Sequence, residues 1–172
     1  VYEDLLQQFP DQDTANKLTF YTGSNLAEVL QGKTDGIKLV FGTTEGRELV
    51  SGLYGEWPLN RLFYKQMEDF LSRLASKLHS HADGPLKILE MGAGTGGTTR
   101  WIVPLLASLD LPVEYTFTDL APSFCALARK KFGKSYPFMK FRTHDIEKAP
   151  EADLVGTQHI IIASNAVHAT RD

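Results

Sequence analysis

Residues 86–100 constrain this chain more than any other stretch. Leu86-Lys87-Ile88-Leu89-Glu90 is a short apolar run ending in an acid, Gly92, Gly94, Gly96 and Gly97 follow in close succession, and a helical pattern begins at Thr98. The order is strand, tight turn, helix. Glycines let the backbone turn sharply and leave no side chain between the main chain and a ligand, while the N-terminus of the next helix offers free N–H groups. Such a stretch predicts a loop for a nucleoside cofactor on an α/β sheet.

Gly92, Gly94 and Gly97 satisfy G-x-G-x-x-G, so a dinucleotide-binding turn has to be weighed. Against it stands Glu90, whose carboxylate is expected in the space beside the loop. A pyrophosphate next to an unpaired carboxylate is disfavoured, whereas a ligand carrying an ammonium and a sulfonium is favoured. S-adenosylmethionine has that charge pattern. The bland alternative is a glycine-rich turn that binds nothing, which so many glycines in their proper context argue against.

The rest of the chain sets limits. At 172 residues it is one domain, or a domain with a subdomain, and a net charge of −3 without a clustered basic face argues against nucleic acid as the main partner. The single cysteine, Cys125, fits a reducing compartment, the cytoplasm, and lies in a helical pattern where burial is expected. No apolar run approaches the roughly 18 residues that span a bilayer, so no membrane partner is expected. His79, His81, His144 and His159 make no metal-ligand spacing with the carboxylates, and none is expected to hold a metal. The chain opens at Val1 inside a helical pattern and stops at Asp172 without a terminating element, so it is expected to be a piece of a longer polypeptide.

Residues 1–80 read as a mostly helical subdomain. Tyr2, Leu5, Leu6 and Phe9 recur at helical spacing, and Asn25 to Leu30 reads as a short helix with Asn25 as N-cap, Glu28 three residues on and Gly32 as its stop. Ile37 to Phe41 fits a strand or a packed loop equally. From Pro58 to His79, Leu59, Leu62, Phe63, Met67, Phe70, Leu71, Leu74 and Leu78 predict one amphipathic helix, with Phe63 and Phe70 packed on a core. Tyr54, Trp57 and Tyr64 flank the connection before the glycine loop. They are candidates for a lid over the ligand, with plain packing as the alternative. His79 to Pro85 reads as a linker, ahead of a second subdomain over residues 85–172.

Beyond the glycine loop, Trp101, Ile102, Leu105, Leu106 and Leu109 give a helix its buried face, with Pro104 as a kink. Val113 to Thr118 is a second strand ending at Asp119, placed to take ribose hydroxyls or to cap the next helix. That helix opens at Pro122, carries Arg129, Lys130 and Lys131 at its negative end, and stops at Gly133. Phe138 to Arg142 is a third strand leading to Asp145, which is either an acceptor for an exocyclic adenine amine or a solvated loop acid. His159 to Ala163, a continuous apolar run, predicts a buried fourth parallel strand that delivers Ser164 to Thr170 to the same edge. The whole is a Rossmann-like, doubly wound parallel α/β sheet with a helical N-terminal subdomain.

Four stretches in order, Glu90 to Thr99, Tyr115 to Phe124, Asp145 to Glu147 and Ala163 to Thr170, resemble a class I S-adenosylmethionine-dependent methyltransferase, and more narrowly the C-methyltransferase domain of fungal non-reducing polyketide synthases. The resemblance covers residues from about 20 to the end. It implies methyl transfer from S-adenosylmethionine, leaving S-adenosylhomocysteine, to the α-carbon of a β-ketoacyl chain on an acyl carrier protein, inside a multidomain synthase. It implies that Glu90, Gly92, Ala93, Gly94 and Gly96 hold the methionine part, Asp119 with Leu120 the ribose side, and Asp145 with Ile146 the adenine. Asn165 belongs to the same cofactor set, and His168 matches the catalytic histidine. The family's later strands, and the glutamate that orients its histidine, are expected beyond Asp172.

The chemistry agrees. A carbon between a ketone and a thioester becomes nucleophilic on losing a proton, and histidine is the side-chain type suited to taking it near neutral pH. Without the resemblance, His168 reads as a hydrogen-bonded loop residue. An O- or N-methyltransferase of small molecules shares every cofactor motif, an NAD-dependent oxidoreductase is disfavoured by Glu90, and an inactive methyltransferase remnant is the third alternative.

Overall fold

A computed structural model describes residues 1–78 and 84–171, which fall into two compact units, Val1–Phe63 and Tyr64–Asp172. The division lies inside a long helix, whereas the sequence placed it at the linker over residues 79–85. Most of that linker, including His79 and His81, lies outside the described residues.

The first unit holds α1 (Tyr2–Gln8), α2 (Asp13–Leu30), a π-helical turn (Lys38–Gly42), α3 (Thr44–Glu56) and the start of α4 (Pro58–Leu78). The separate helix expected from Asn25 is the last part of α2. The Asn25 amide donates to the Tyr21 carbonyl (2.8 Å) instead of capping a helix start, because no proline breaks the run from Asp13. Gly32 does end the helix, at φ +70°. The Ile37 to Phe41 run is neither strand nor loop but largely the π turn, locked by Thr43. The Thr43 hydroxyl bonds the Leu39 carbonyl (2.7 Å) and accepts from the Gly46 N–H (3.0 Å), capping α3. A Cβ on Gly46 would stand 2.3 Å from the Leu39 carbonyl, so only glycine allows this approach.

Helix α4 is the amphipathic helix expected, but its buried face is rotated. Tyr64, Leu71 and Ala75 are buried and Met67 and Leu78 packed on the core, while Leu59, Leu62, Phe63 and Phe70 are exposed. The expected packing of Phe63 and Phe70 is thus corrected. Apolarity alone picked the wide stripe, and the helix buries the narrower i, i+3, i+7, i+11 row.

The second unit is a four-stranded parallel sheet in the order β3-β2-β1-β4, from β1 (Leu86–Glu90), β2 (Val113–Asp119), β3 (Met139–Thr143) and β4 (Ile160–Ile162). Helices α5 (Thr99–Ser108) and α6 (Pro122–Phe132) make the connections, and Ile88, Tyr115, Phe117, Ile102, Val103 and Leu106 are among its driest apolar residues. Pro104 is accommodated inside α5, and Gly133 caps α6. β4 lies at the edge of the described sheet with Ile161 58 % exposed, so the expectation of a strand buried throughout does not hold. The chain adds β2 and β3 on one side of β1, then returns to place β4 on the other. Ligands of open parallel sheets bind where that reversal occurs, outside the carboxyl ends of the strands.

Candidate functional site

The turn after β1 begins by extending the ladder to both sides. The Met91 N–H donates to Ile162 O (2.8 Å) and the Ala93 N–H to Thr118 O (2.9 Å), which pins the loop above β4 and β2. Gly92, Gly94 and Gly96 then take φ of +61°, +55° and +76°, the left-handed region that glycine enters without penalty. A Cβ on Gly92 would stand 2.5 Å from the Ala166 Cβ, whereas one on Gly94 would meet nothing within 4 Å. The loop is therefore closed at Gly92 and open at Gly94.

Glu90 does not project beside the loop as the sequence suggested. It is 1 % exposed, and its Oε2 accepts from the Thr99 hydroxyl (2.6 Å) and the Tyr115 hydroxyl (2.8 Å) beneath the turn. Its carbonyl accepts from the Thr118 hydroxyl (2.7 Å). Burial pushes the Glu90 carboxyl up to about 7, against the two hydrogen bonds that favour its charge and with the Asp119 carboxylate adding to the rise. Burial and the neighbouring carboxylate push the Tyr115 phenol up as well. The shift in Glu90 follows from its parity on β1, which sends its side chain to the core.

Asp119, at the end of β2, accepts from the Gly94 N–H on Oδ2 (2.8 Å) and from the Ala121 N–H on Oδ1 (2.9 Å). It braces the open part of the loop and the turn before α6 at once, but it does not cap that helix, whose N-cap Ala121 receives no side-chain cap bond. Leu120, Pro122, Thr143, His144, Asp145 and Lys148 help line a cleft of about 310 Å³ beyond β2 and β3. Leu120 stands 68 % exposed at its wall. Asp145 accepts from the Glu147 N–H (3.1 Å) and pairs with Lys148 (3.1 Å), and the Lys148 contact, with the Glu147 N–H, holds its carboxyl below the usual range. The structure thus brings Leu120 and Asp145 to one cavity, with Ile146 half-buried next in the chain.

Beyond β4 the chain turns back across the reversal point. Asn165 takes φ +53°, uncommon for a residue with a side chain, Ala166 is buried against Gly92, and a 3-10 turn spans Val167–Ala169 with His168 exposed. The segment is fastened further along by the Arg171 N–H, which donates to Glu147 Oε1 (3.0 Å) beside Asp145. Glu90, the glycines, Asp119, Leu120, Asp145, Asn165 and His168 all gather at this one sheet edge.

The three aromatic candidates are divided between the two units. Tyr54 and Trp57 belong to the first unit, where the Trp57 indole donates to Gln12 Oε1 (2.7 Å). Tyr64 belongs to the second and is 2 % exposed. The sequence reading also missed Thr99, Tyr115 and Glu147. A phenol inside a strand of core residues was the available signal, because a buried hydroxyl requires a partner. Among the described residues no group of three or more His, Cys, Asp or Glu is disposed to hold a metal ion, and no helix is long and apolar enough to cross a membrane.

Residues 89–172 match the methyltransferase domain family. Over 170 residues the chain is 74 % identical to a non-reducing polyketide synthase of Emericella nidulans, an alignment that takes in 99 % of this chain and 6 % of that protein. The citrinin polyketide synthase CMeT domain superposes with a TM-score of 0.92 at 49 % identity, over 99 % of this chain and 45 % of the other. The trans-methyltransferase CalH, in complex with SAH, superposes with a TM-score of 0.69 at 25 % identity, over 98 % of this chain and 45 % of the other. The chain therefore spans about 6 % of the length of such synthases and under half of the solved domains.

Proposed function

For this chain, a class I methyltransferase domain that resembles the C-methyltransferase domains of fungal non-reducing polyketide synthases, we propose transfer of a methyl group from S-adenosylmethionine to the α-carbon of a β-ketoacyl thioester on an acyl carrier protein, with His168 as the base. The cofactor, when bound, supplies a methyl carbon already activated by its sulfonium. Everything else is positioning and proton transfer by the chain.

The residues fit such a ligand. The open backbone at Gly94 leaves room for close approach, Leu120 offers an apolar wall, and Asp145 on the cleft offers a carboxylate acceptor to an amine. Glu90 acts from below: by bonding Thr99 and Tyr115 it fixes the start of α5 against β2. Asp119 holds the Gly94 N–H and keeps lone pairs for a ribose hydroxyl.

The observation that carries the reading is the contact of Ala166 with Gly92. It sets His168 two residues from a side chain packed on the glycine loop, on the edge where the methyl donor would lie. His168 there would remove the α-proton. The carbanion, delocalised onto the ketone and thioester oxygens, would be held for in-line transfer, the new C–C bond forming as the sulfonium's S–CH3 bond breaks and S-adenosylhomocysteine leaves, and the imidazolium would pass its proton to solvent. On this reading the carrier protein is another domain of the same synthase and the setting is cytosolic.

The test is methyl transfer from isotopically labelled S-adenosylmethionine to a carrier-bound β-ketothioester by the intact domain and its His168→Ala variant. Transfer should vanish in the variant while affinity for S-adenosylhomocysteine stays within about twofold of wild type. Retained transfer rules out the base assignment, and transfer to free phenols in place of the thioester rules out the acceptor.

A further inference from the structure

We propose that Glu147 is a positioning residue for the reaction, its carboxylate setting the direction of the segment that carries His168. The Arg171 N–H donates to Glu147 Oε1 at 3.0 Å, a bond between residues 24 apart in the chain. Arg171 follows His168 by three residues, and His168 stands in the 3-10 turn Val167–Ala169.

The turn that carries Glu147 is itself firmly held. The Lys148 N–H closes it on the Asp145 carbonyl (3.0 Å), the Glu147 N–H donates to Asp145 Oδ1 (3.1 Å), and the Lys148 ammonium pairs with Asp145 Oδ2 (3.1 Å). Just before it, the His144 N–H donates to the Asp119 carbonyl (3.0 Å), which anchors the turn to the end of β2. One four-residue turn therefore serves two segments. Asp145 lines the cleft assigned to the cofactor, and Glu147 grips the segment assigned to proton removal. Methyl donor and base are thereby referred to a single frame.

The His168 segment needs a fixed point on this side. On the other side Ala166 packs against Gly92, and Asn165 is held at φ +53°, a conformation that a residue with a side chain keeps only where its surroundings over-determine it. The Ala169 N–H on Ala166 O (3.0 Å) and the Thr170 N–H on Val167 O (3.1 Å) fix the shape of the turn but not its direction. Direction needs a hold beyond His168, and the Glu147 carboxylate gives one. Glu147 is exposed, so its removal hands the Arg171 N–H to water without opening the core. An exposed hydrogen bond of this kind shifts an equilibrium by a factor of about five, so the aligned fraction of His168, and turnover with it, should fall by about that factor.

This inference rests on His168 as the base, and the experiment separates the two. In the intact domain, Glu147→Ala should lower kcat about fivefold, while KM for the β-ketothioester, affinity for S-adenosylhomocysteine and melting temperature stay close to wild type. Glu147→Gln keeps an oxygen for the Arg171 N–H and should recover most of the loss. Arg171→Pro deletes the donor from the other side. Thr170 before it is already extended at φ −83°, ψ 162°, as a following proline requires, and Arg171→Ala, which keeps the N–H, is its reference. The proline variant should be slower than the alanine one by the same factor, and combining it with Glu147→Ala should cost nothing further. Exchange of the α-proton for deuterium, which reports proton removal without methyl transfer, should slow in parallel with kcat. Unchanged kcat in Glu147→Ala, no recovery in Glu147→Gln, multiplicative losses in the combined variant, or a loss confined to cofactor affinity overturns the positioning role. If His168→Ala retains transfer, the base reading itself fails, whatever the Glu147 variants do.

Discussion

Glu90 should make the stability of the sheet unit fall as pH rises from acid to neutral, the reverse of what a paired surface carboxylate does. Burial holds its folded carboxyl at about 7, against 4.5 for the same group in the unfolded chain. The folded state therefore binds the proton more tightly. The stabilisation that this tighter proton binding gives is complete below pH 4.5, is lost progressively up to about 7, and is absent above it. At ~1.36 kcal/mol for each pH unit separating the two values, the loss is ~3 kcal/mol, an order-of-magnitude figure but a large share of a domain's stability. Glu90→Gln keeps an oxygen for the Thr99 and Tyr115 hydroxyls and abolishes the titration. Urea denaturation of both proteins from pH 5 to 8.5 isolates the effect, because every other titrating group is common to the pair. The variant should gain ~3 kcal/mol on wild type across that range. A difference independent of pH would show that Glu90 is ionised throughout and the burial argument wrong.

Two further substitutions probe the loop and the cleft. Gly92→Ala imposes a side chain at φ +61° and drives its Cβ into Ala166, so it should destabilise the unit by ~1–2 kcal/mol from the backbone alone and weaken cofactor binding; an unchanged melting temperature contradicts the geometry. Asp145→Ala should weaken S-adenosylhomocysteine binding about tenfold, the worth of one hydrogen bond to a charged acceptor at ~1.5 kcal/mol, and unchanged affinity by calorimetry would place the adenine elsewhere.

The parallel sheet was legible because each of its first three strands ends in a distinctive signal. Glycines follow Glu90, a Pro-led helix follows Asp119, and an acid follows the Met139–Thr143 strand. These are local signals that survive any packing. The errors arose where packing decides. Ile161 reads as core from its neighbours, yet lies at the edge of the described sheet. Phe70 outweighs Ala75 in any apolar count, but Ala75 is the one that α4 turns inward. The Leu39 and Val40 run looks like a strand until Thr43 and Gly46 claim its carbonyl for a π turn and a cap.

The site divides in the same way. Gathering Glu90, Asp119, Asp145 and His168 at one sheet edge needed only strand order, which the sequence carried. The direction of Glu90 needed the register of β1 against β2, which places Tyr115 and Phe117 beside the strand and sends the carboxylate beneath the loop to Tyr115. Tyr64 was visible only as one aromatic among three. Its burial is decided by how α4 packs, and no local pattern encodes it.

The most direct test of the account is calorimetric titration of this chain with S-adenosylhomocysteine, with NAD as the control ligand. Saturable binding of S-adenosylhomocysteine alone, weakened by Asp145→Ala, is the predicted result. Binding of NAD in its place, or of neither ligand to this chain and to a longer stretch of the same synthase, would contradict the assignment of the glycine loop and the cleft beside it.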